Sequence, residues 1–224
     1  TCRRGVPALC VHRPQFIGED LDGGYAEYVA TLWHSWVPLP DEIDFILGTT
    51  IVCAFGTAFH ALTTRGQMAL GENVLITGAS GGVGKHAIQI VKAAGARAIA
   101  VTSSPAKRDM LLGYGADEVI AADDGAFAKQ TKALTGEGAD LVLEIVGGSS
   151  INESLHAVRP GGRVVVVGNL EGSTATIRPA HLILKEISLL GTKSSTNQEI
   201  DQVLKMVVDG LLGTKSSTNQ EIDQ

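Results

Sequence analysis

The sequence is short of several things, and each shortage excludes something. Cysteine occurs three times, as Cys2, Cys10 and Cys53. So sparse and odd a set does not build a disulfide framework, which points to a reducing, cytoplasmic setting. Positive charge is never concentrated: Arg3-Arg4 is the only pair of adjacent arginines and the formal net charge is −6, so a nucleic-acid partner is not expected. No apolar stretch approaches the ~20 residues of a membrane span, and no membrane partner is expected either. Thr1-Cys2-Arg3-Arg4-Gly5 leads into no continuous apolar segment of the signal-peptide kind. What remains is an ordinary globular composition, 44% hydrophobic and 19% charged over 224 residues. That is enough for one large domain, or for one domain with a piece of another.

The middle of the chain alternates two kinds of segment. Short apolar runs at 73–77, 97–102, 118–121, 139–146, 163–168 and 186–190 read as buried strands. Between them, Val83, Ala87, Ile90, Val91 and Ala94 recur at helical spacing until Gly95. Ser104-Pro105 offers an N-cap followed by proline at the first helical position. Helical stretches are also expected at 126–134, at 151–158 ahead of Pro160-Gly161-Gly162, at 182–185 and at 197–208. Strands this apolar, separated by helices, must be covered on both faces, so the sheet is parallel and doubly wound: an α/β fold of the Rossmann type. The first sixty residues differ. Asp22-Gly23-Gly24 followed by Tyr25 to Val29 reads as a glycine turn entering an alternating strand of an antiparallel domain. Pro38 and Pro40 mark a connection, and 51–62 reads as a helix. The expected domains are therefore 1–60, 61–210 and a tail, 211–224.

The tail is a copy. Residues 189–202 read LLGTKSSTNQEIDQ, and residues 211–224 repeat them without a difference. Solenoids need about three or more units, and their units diverge. Two identical copies read instead as a recent duplication or an assembly artefact, and Leu211 to Gln224 is expected to contribute nothing to stability.

The chemistry-bearing motif is Gly78-Ala79-Ser80-Gly81-Gly82-Val83-Gly84. It lies after a strand and before a helix, which is the context a dinucleotide-binding turn requires. Gly78 permits the tight turn, Gly81 and Gly82 let the backbone approach a pyrophosphate, and Gly84 lets the helix pack closely on the strand. Ser80 and Val83 complete the turn, and the helix N-terminus favours the phosphate charge. A glycine turn serving packing alone is the plainer reading, and the flanking elements weigh against it. Gly84-Lys85 is followed by His86, so no P-loop is present. NAD enzymes usually place Asp or Glu about twenty residues past the glycines, on the ribose 2′-hydroxyl. Here Thr102-Ser103-Ser104 stands in that place, with Lys107 and Arg108 nearby and Asp109 already inside the helix. The absent carboxylate favours NADPH over NADH; the plainer reading makes Ser103 and Ser104 helix caps and Lys107 and Arg108 a solvated face. Val146, Gly147 and Gly168, at the ends of the fourth and fifth strands, complete the expected cofactor contacts.

In order along the chain, Gly23 to Tyr28, Cys53-Ala54-Phe55-Gly56-Thr57-Ala58-Phe59-His60, the glycine turn, Gly115-Ala116-Asp117 and Arg159 to Arg163 resemble the medium-chain dehydrogenase/reductase superfamily of zinc alcohol dehydrogenases and NADPH quinone reductases. Phe16 to Gly23 and Ile183 to Ile187 look most like its acryloyl-CoA reductase group. The resemblance covers nearly everything up to about Gly210. It implies a GroES-like catalytic domain, present only in part at the N-terminus, and hydride transfer involving a carbonyl, an alcohol or an activated double bond of a small-molecule substrate. It also implies a homodimeric or homotetrameric parent. Cys2 and Cys10, with seven residues between them, match two of the four cysteines of the family's structural zinc lobe, so the chain is expected to start inside that lobe. Structural zinc wants four ligands, and His12 alone does not make up the number. Cys53 matches a catalytic-zinc ligand, and an isolated cysteine is otherwise a small buried residue. Thr57 matches a contact to the nicotinamide carboxamide. His60 is expected on a helix packing face, and Trp33 and Trp36 in a β-domain core or interface. With both ends of the substrate domain missing, the chain alone is expected to bind cofactor and to turn over little. Two rivals stand beside an enone or enoyl reductase: a zinc-dependent alcohol dehydrogenase, and a dinucleotide-binding module without catalysis.

Overall fold

The computed structural model describes Leu9, residues 17–170, Gly172 and residues 174–213, the His34 side chain excepted. Its centre is one parallel sheet built from β1 (Asn73–Ile76), β2 (Arg97–Thr102), β3 (Glu118–Ala121), β4 (Ala139–Glu144), β5 (Val158–Val166) and β6 (Ser188–Gly191). The strand order is β3-β2-β1-β4-β5-β6. β1 pairs with β2 from Asn73↔Arg97 to Ile76↔Ala100, and with β4 from Val74↔Leu141 to Ile76↔Leu143. The strands lack polar alternation because each of their faces is buried in a different cluster. Val74, Ile76, Ala98, Ala100, Leu141 and Leu143 enter one core, while Leu75, Ile99, Val101 and Val142 enter the other. This is the doubly wound arrangement expected from the apolar runs.

The first core is closed by α1 (Phe45–Arg65), α2 (Gly82–Ala93), α3 (Arg108–Gly113) and α7 (Asn197–Val208). The second is closed by α4 (Ala128–Thr135), α5 (Ser150–Ala157) and, more loosely, α6 (Pro179–Lys185). Glycines at the ends of α2 and α4 take up left-handed backbone, Gly95 at φ 71° and Gly136 at φ 84°, which turns the chain into the next strand. The expected stop at Pro160-Gly161-Gly162 is placed differently. α5 already ends at Ala157, and the Pro-Gly-Gly run lies within β5, where the register against β4 shifts between Ala139 and Leu141. Ser104 forms no side-chain cap either. Pro105 opens a 3₁₀ turn, Pro105–Lys107, ahead of α3.

α1 is longer than the sequence suggests. It starts at Phe45 because Asp44 caps it, Oδ1 accepting the Leu47 N–H at 2.7 Å, and it runs to Arg65 through two wider π-helical stretches, Ile51–Gly56 and His60–Arg65. Its 21 residues are long and apolar enough to cross a membrane, which corrects the expectation that no stretch comes near that length. In this fold the helix packs instead. Ile51, Phe55, Ala58, Ala61 and Leu62 are buried in the first core. His60 is buried too, and its Nδ1 meets Glu199 of α7 at 2.8 Å, as a packing-face histidine should.

His86 on α2 stacks on Phe55 of α1 with ring centroids 3.7 Å apart. Burial, helped by the neighbouring Lys85, lowers its pKa from 6.5 to about 4. The native protein thus refuses a proton that the unfolded chain accepts between these values. Stability is complete above pH 6.5 and is lost as pH falls towards 4, by about 3 kcal/mol for a shift of this size. Burial and the nearby His156 lower His181 as well, so the comparison must be between variants. Urea titrations of wild type and His86→Gln from pH 7 to 4.5 should give curves that converge in acid. A parallel loss in both would assign the acid lability to other groups.

Both ends of the described chain depart from expectation. No strand forms over Tyr25 to Val29; the segment runs through bends with Tyr25 and Tyr28 fully exposed, and an isolated bridge joins Ile17 to Leu21. A strand is stable only beside a partner, and among the described residues none is offered. Trp33 and Trp36 are exposed as well, not part of a core. At the other end, the first residues of the second copy do pack. Leu211 and Leu212 donate backbone N–H to Met206 O, Leu212 is only 4% exposed within the first core, and Gly213 N–H reaches Gln89 Oε1 at 2.9 Å. Bonds to Met206 of α7 and Gln89 of α2 hold these residues where Leu212 enters the first core, so counting the tail's apolar residues undervalues it. Residues 214–224, like Cys2, Cys10 and His12, lie outside the described residues.

Candidate functional site

From β1 the chain winds outward through β2 and β3; from β4 it winds the other way through β5 and β6. Open α/β sheets bind ligands at this reversal, outside the carboxyl ends of the strands. Three loops meet there: the glycine turn after β1, residues 145–149 after β4 and residues 167–170 after β5.

The glycine turn is laced to both neighbouring strands. Thr77 N–H donates to Leu143 O at 3.0 Å and Ala79 N–H to Val101 O at 3.1 Å. Gly78 sits at φ 58°, and a Cβ there would lie 3.2 Å from Val146 Cγ2. A Cβ on Gly84 would lie 2.5 Å from Ala79 Cα, so the first turn of the helix and the glycine turn touch backbone to backbone. Gly81 and Gly82 are different. Both are exposed, a Cβ on Gly81 would meet nothing closer than Gly78 O at 3.4 Å, and one on Gly82 would meet nothing within 4 Å. The first-turn N–H groups of α2 have no intrahelical acceptor, and the space beside Gly82, where that turn begins, is open. This cradle fits a dinucleotide pyrophosphate. Ser80 and Val83 are half-buried at its sides.

At the end of β2, Thr102 is buried, and its Oγ1 accepts the Ser104 N–H at 3.2 Å. Ser103 and Lys107 are exposed, and Ser104 is half-buried. Arg108 is not simply a solvated cation, since its Nη1 donates to Val119 O at 2.7 Å and ties α3 to β3.

On the far side, Val146, Gly147 and Gly168 come together. A Cβ on Gly147 would lie 2.6 Å from Gly168 O, and Leu170 N–H donates to Val146 O at 3.0 Å. Beneath them is a residue the sequence reading missed. Glu144, the last residue of β4, has no exposed surface. Its Oε1 accepts from Thr77 Oγ1 at 3.0 Å, Val146 N at 3.0 Å, Gly147 N at 2.9 Å and Ser150 Oγ at 2.5 Å, and its Oε2 accepts from Ser154 Oγ. Thr77 Oγ1 in turn accepts the Ile145 N–H at 2.9 Å. The available signal is a carboxylate set within the apolar run Leu141 to Val146.

Thr57, half-buried, and Cys53, exposed, both lie on α1. Among the described residues no three of His, Cys, Asp or Glu converge as metal ligands, so Cys53 has no companions for zinc there. His60 is engaged with Glu199. Burial pushes the Glu199 carboxyl up, but the Thr64 hydroxyl, the Thr196 amide and His60 outweigh it and hold it below the usual range.

The zinc-binding dehydrogenase family model matches residues 82–209, more than half of the chain. The chain belongs to this family. It is 35% identical over 210 residues to acryloyl-coenzyme A reductase of Metallosphaera sedula, covering 93% of this chain and 61% of that protein. To quinone oxidoreductase of Homo sapiens it is 33% identical over 199 residues, covering 88% and 60%. The crystal structure of AibC superposes with a TM-score of 0.91 at 42% identity, covering 94% of this chain and 59% of that one. The 2-octenoyl-CoA carboxylase reductase CinF, in complex with NADP and 2-octenoyl-CoA, gives 0.72 at 28% identity, over 79% of this chain and 44% of that one. The chain thus spans about 60% of the length of the curated relatives it matches.

Proposed function

We propose that this chain binds a nicotinamide dinucleotide, NADPH in preference to NADH, and that the protein of which it is part transfers hydride to an activated double bond such as that of an enoyl thioester, or to a carbonyl. The observation that carries this is the open cradle of Gly81 and Gly82 at the reversal of the sheet. Gly78, Ser80, Val83 and Gly84 shape that turn, and the N-terminus of α2 faces the pyrophosphate charge. Thr102, Ser103, Ser104 and Lys107 border the adenosine ribose without a carboxylate to repel a 2′-phosphate. Val146, Gly147 and Gly168 line the nicotinamide half, and Thr57 meets its carboxamide. The cofactor supplies the hydride, and the protein binds and orients it. The names of relatives, an acryloyl-coenzyme A reductase and a quinone oxidoreductase, support reduction of conjugated substrates.

Fluorescence titration with NADPH and NADH tests the cofactor. Thr102→Asp keeps an acceptor for the Ser104 N–H while setting a carboxylate beside the 2′-position. It should move the preference at least tenfold towards NADH. A wild type that already prefers NADH, with no change in the variant, would remove the argument for NADPH.

A further inference from the structure

We infer that Glu144 is a positioning residue for the nicotinamide half of the crevice, an inference that rests on the proposed dinucleotide function. A carboxylate with no exposed surface and, among the described residues, no cationic partner is costly to bury, and it persists only where hydrogen-bond donors take the place of water. Here Thr77, Val146, Gly147, Ser150 and Ser154 all donate to it. These donors come from three places: the residue just before the glycine turn, the loop after β4, and α5.

The arrangement fixes the loop rather than merely filling a core. Val146 and Gly147 have their N–H groups drawn inward onto Oε1, and the Ile145 N–H is drawn onto Thr77 Oγ1. Gly147 packs against Gly168 O so closely that a Cβ would lie 2.6 Å away. The loops after β4 and β5 therefore share one anchor, and it is joined through Thr77 to the end of β1. In a fold of this kind the half built on β1 and β2 takes the adenosine side, and the half built on β4 and β5 takes the other nucleotide. Releasing Glu144 should leave the adenosine side intact and loosen the wall against which the nicotinamide rests.

The test separates the two halves of the ligand. Wild type, Glu144→Gln and Glu144→Met are titrated with NADPH and with 2′,5′-ADP, and in parallel with NADH and ADP. The amide of Gln can keep its oxygen towards the four donors on the Oε1 side while its NH₂ donates to Ser154 Oγ. Met has no acceptor of that strength. We expect Met to weaken the whole dinucleotide at least tenfold with the adenosine fragments unchanged, and Gln to restore binding to near wild type. Equal weakening of dinucleotide and fragment, unchanged binding by a folded Met variant, or a Gln variant as weak as Met would each overturn the inference. If Met does not fold, Thr77→Val gives the same readout, because it removes only the hydroxyl that joins Oε1 to the Ile145 amide. It should weaken the dinucleotide selectively, and equal effects on both ligands would count against Glu144. A wild type that binds neither dinucleotide nor fragment would instead overturn the proposed function beneath it.

Discussion

Gly84→Ala is expected to lower the melting temperature by roughly 4–8 °C, although alanine is the better helix former. In an exposed helix the exchange would favour the variant by about 1 kcal/mol. At Gly84 the new Cβ would lie 2.5 Å from Ala79 Cα and 2.6 Å from Ala79 O, both backbone atoms. Neither can move without disturbing the Ala79 N–H bond to Val101 O, so the first turn of α2 must lift from the glycine turn. Overpacking of this kind costs about 3 kcal/mol, which outweighs the propensity gain; each kcal/mol shifts Tm by about 2–4 °C in a chain of this size. Gly82 is the internal comparison. It begins the same helix, and a Cβ there would meet nothing within 4 Å, so Gly82→Ala should leave Tm unchanged or raise it slightly. Thermal melts followed by circular dichroism decide the matter. Equal melting temperatures for the two variants would mean that Gly84 owes its place to something other than its contact with the Ala79 backbone.

That contrast between two glycines two residues apart in the same turn shows what could be read from the sequence and what could not. Gly84 followed from pattern, because a helix opening directly out of a strand must pass close to it. β2 over Arg97–Thr102 and α7 over Asn197–Val208 were legible to the residue, the first from the apolar centre of its run, the second as the stretch that follows the apolar run at 186–190. Both signals depend on local composition. The failures depend on partners. Tyr25 to Val29 alternates like a strand, but alternation records a preference for a sheet surface and does not supply one. Leu212 looked too isolated to matter, yet it enters the first core, beside bonds to Met206 of α7 and, far away in sequence, Gln89 of α2. Glu144 was hidden for a related reason. A carboxylate at a strand end usually reads as a solvated charge, and only the convergence of Thr77, the 145–147 amides and two serines of α5 reveals a buried anchor. Even the start of α1 turned on a single side chain, Asp44, whose capping role is invisible in an apolar window that begins after it.

Gly81→Val is expected to abolish dinucleotide binding while leaving the fold intact. The substitution separates the two duties of the turn. Gly81 has φ −78° and ψ 175°, extended backbone that any residue adopts and that a β-branched side chain favours. Its Cβ would meet only Gly78 O, at 3.4 Å, an ordinary contact, and the Gly81 N–H bond to Gly78 O at 3.0 Å can persist. Tm should therefore stay within a few degrees of wild type. The branched methyls, however, would project into the open space in front of the first turn of α2, which is where a pyrophosphate must come to reach the free N–H groups. Holding the phosphates away forfeits charge-assisted hydrogen bonds, each contributing about 1.5–3 kcal/mol, and two such losses amount to at least a hundredfold in Kd. Calorimetric titration with NADPH and NADH should then show no measurable binding at concentrations that saturate wild type. Gly81→Ala should fall between the two, because its single methyl intrudes less. Undiminished affinity in the folded valine variant would mean that the phosphates rest elsewhere, and that the cradle at the reversal of the sheet serves packing alone.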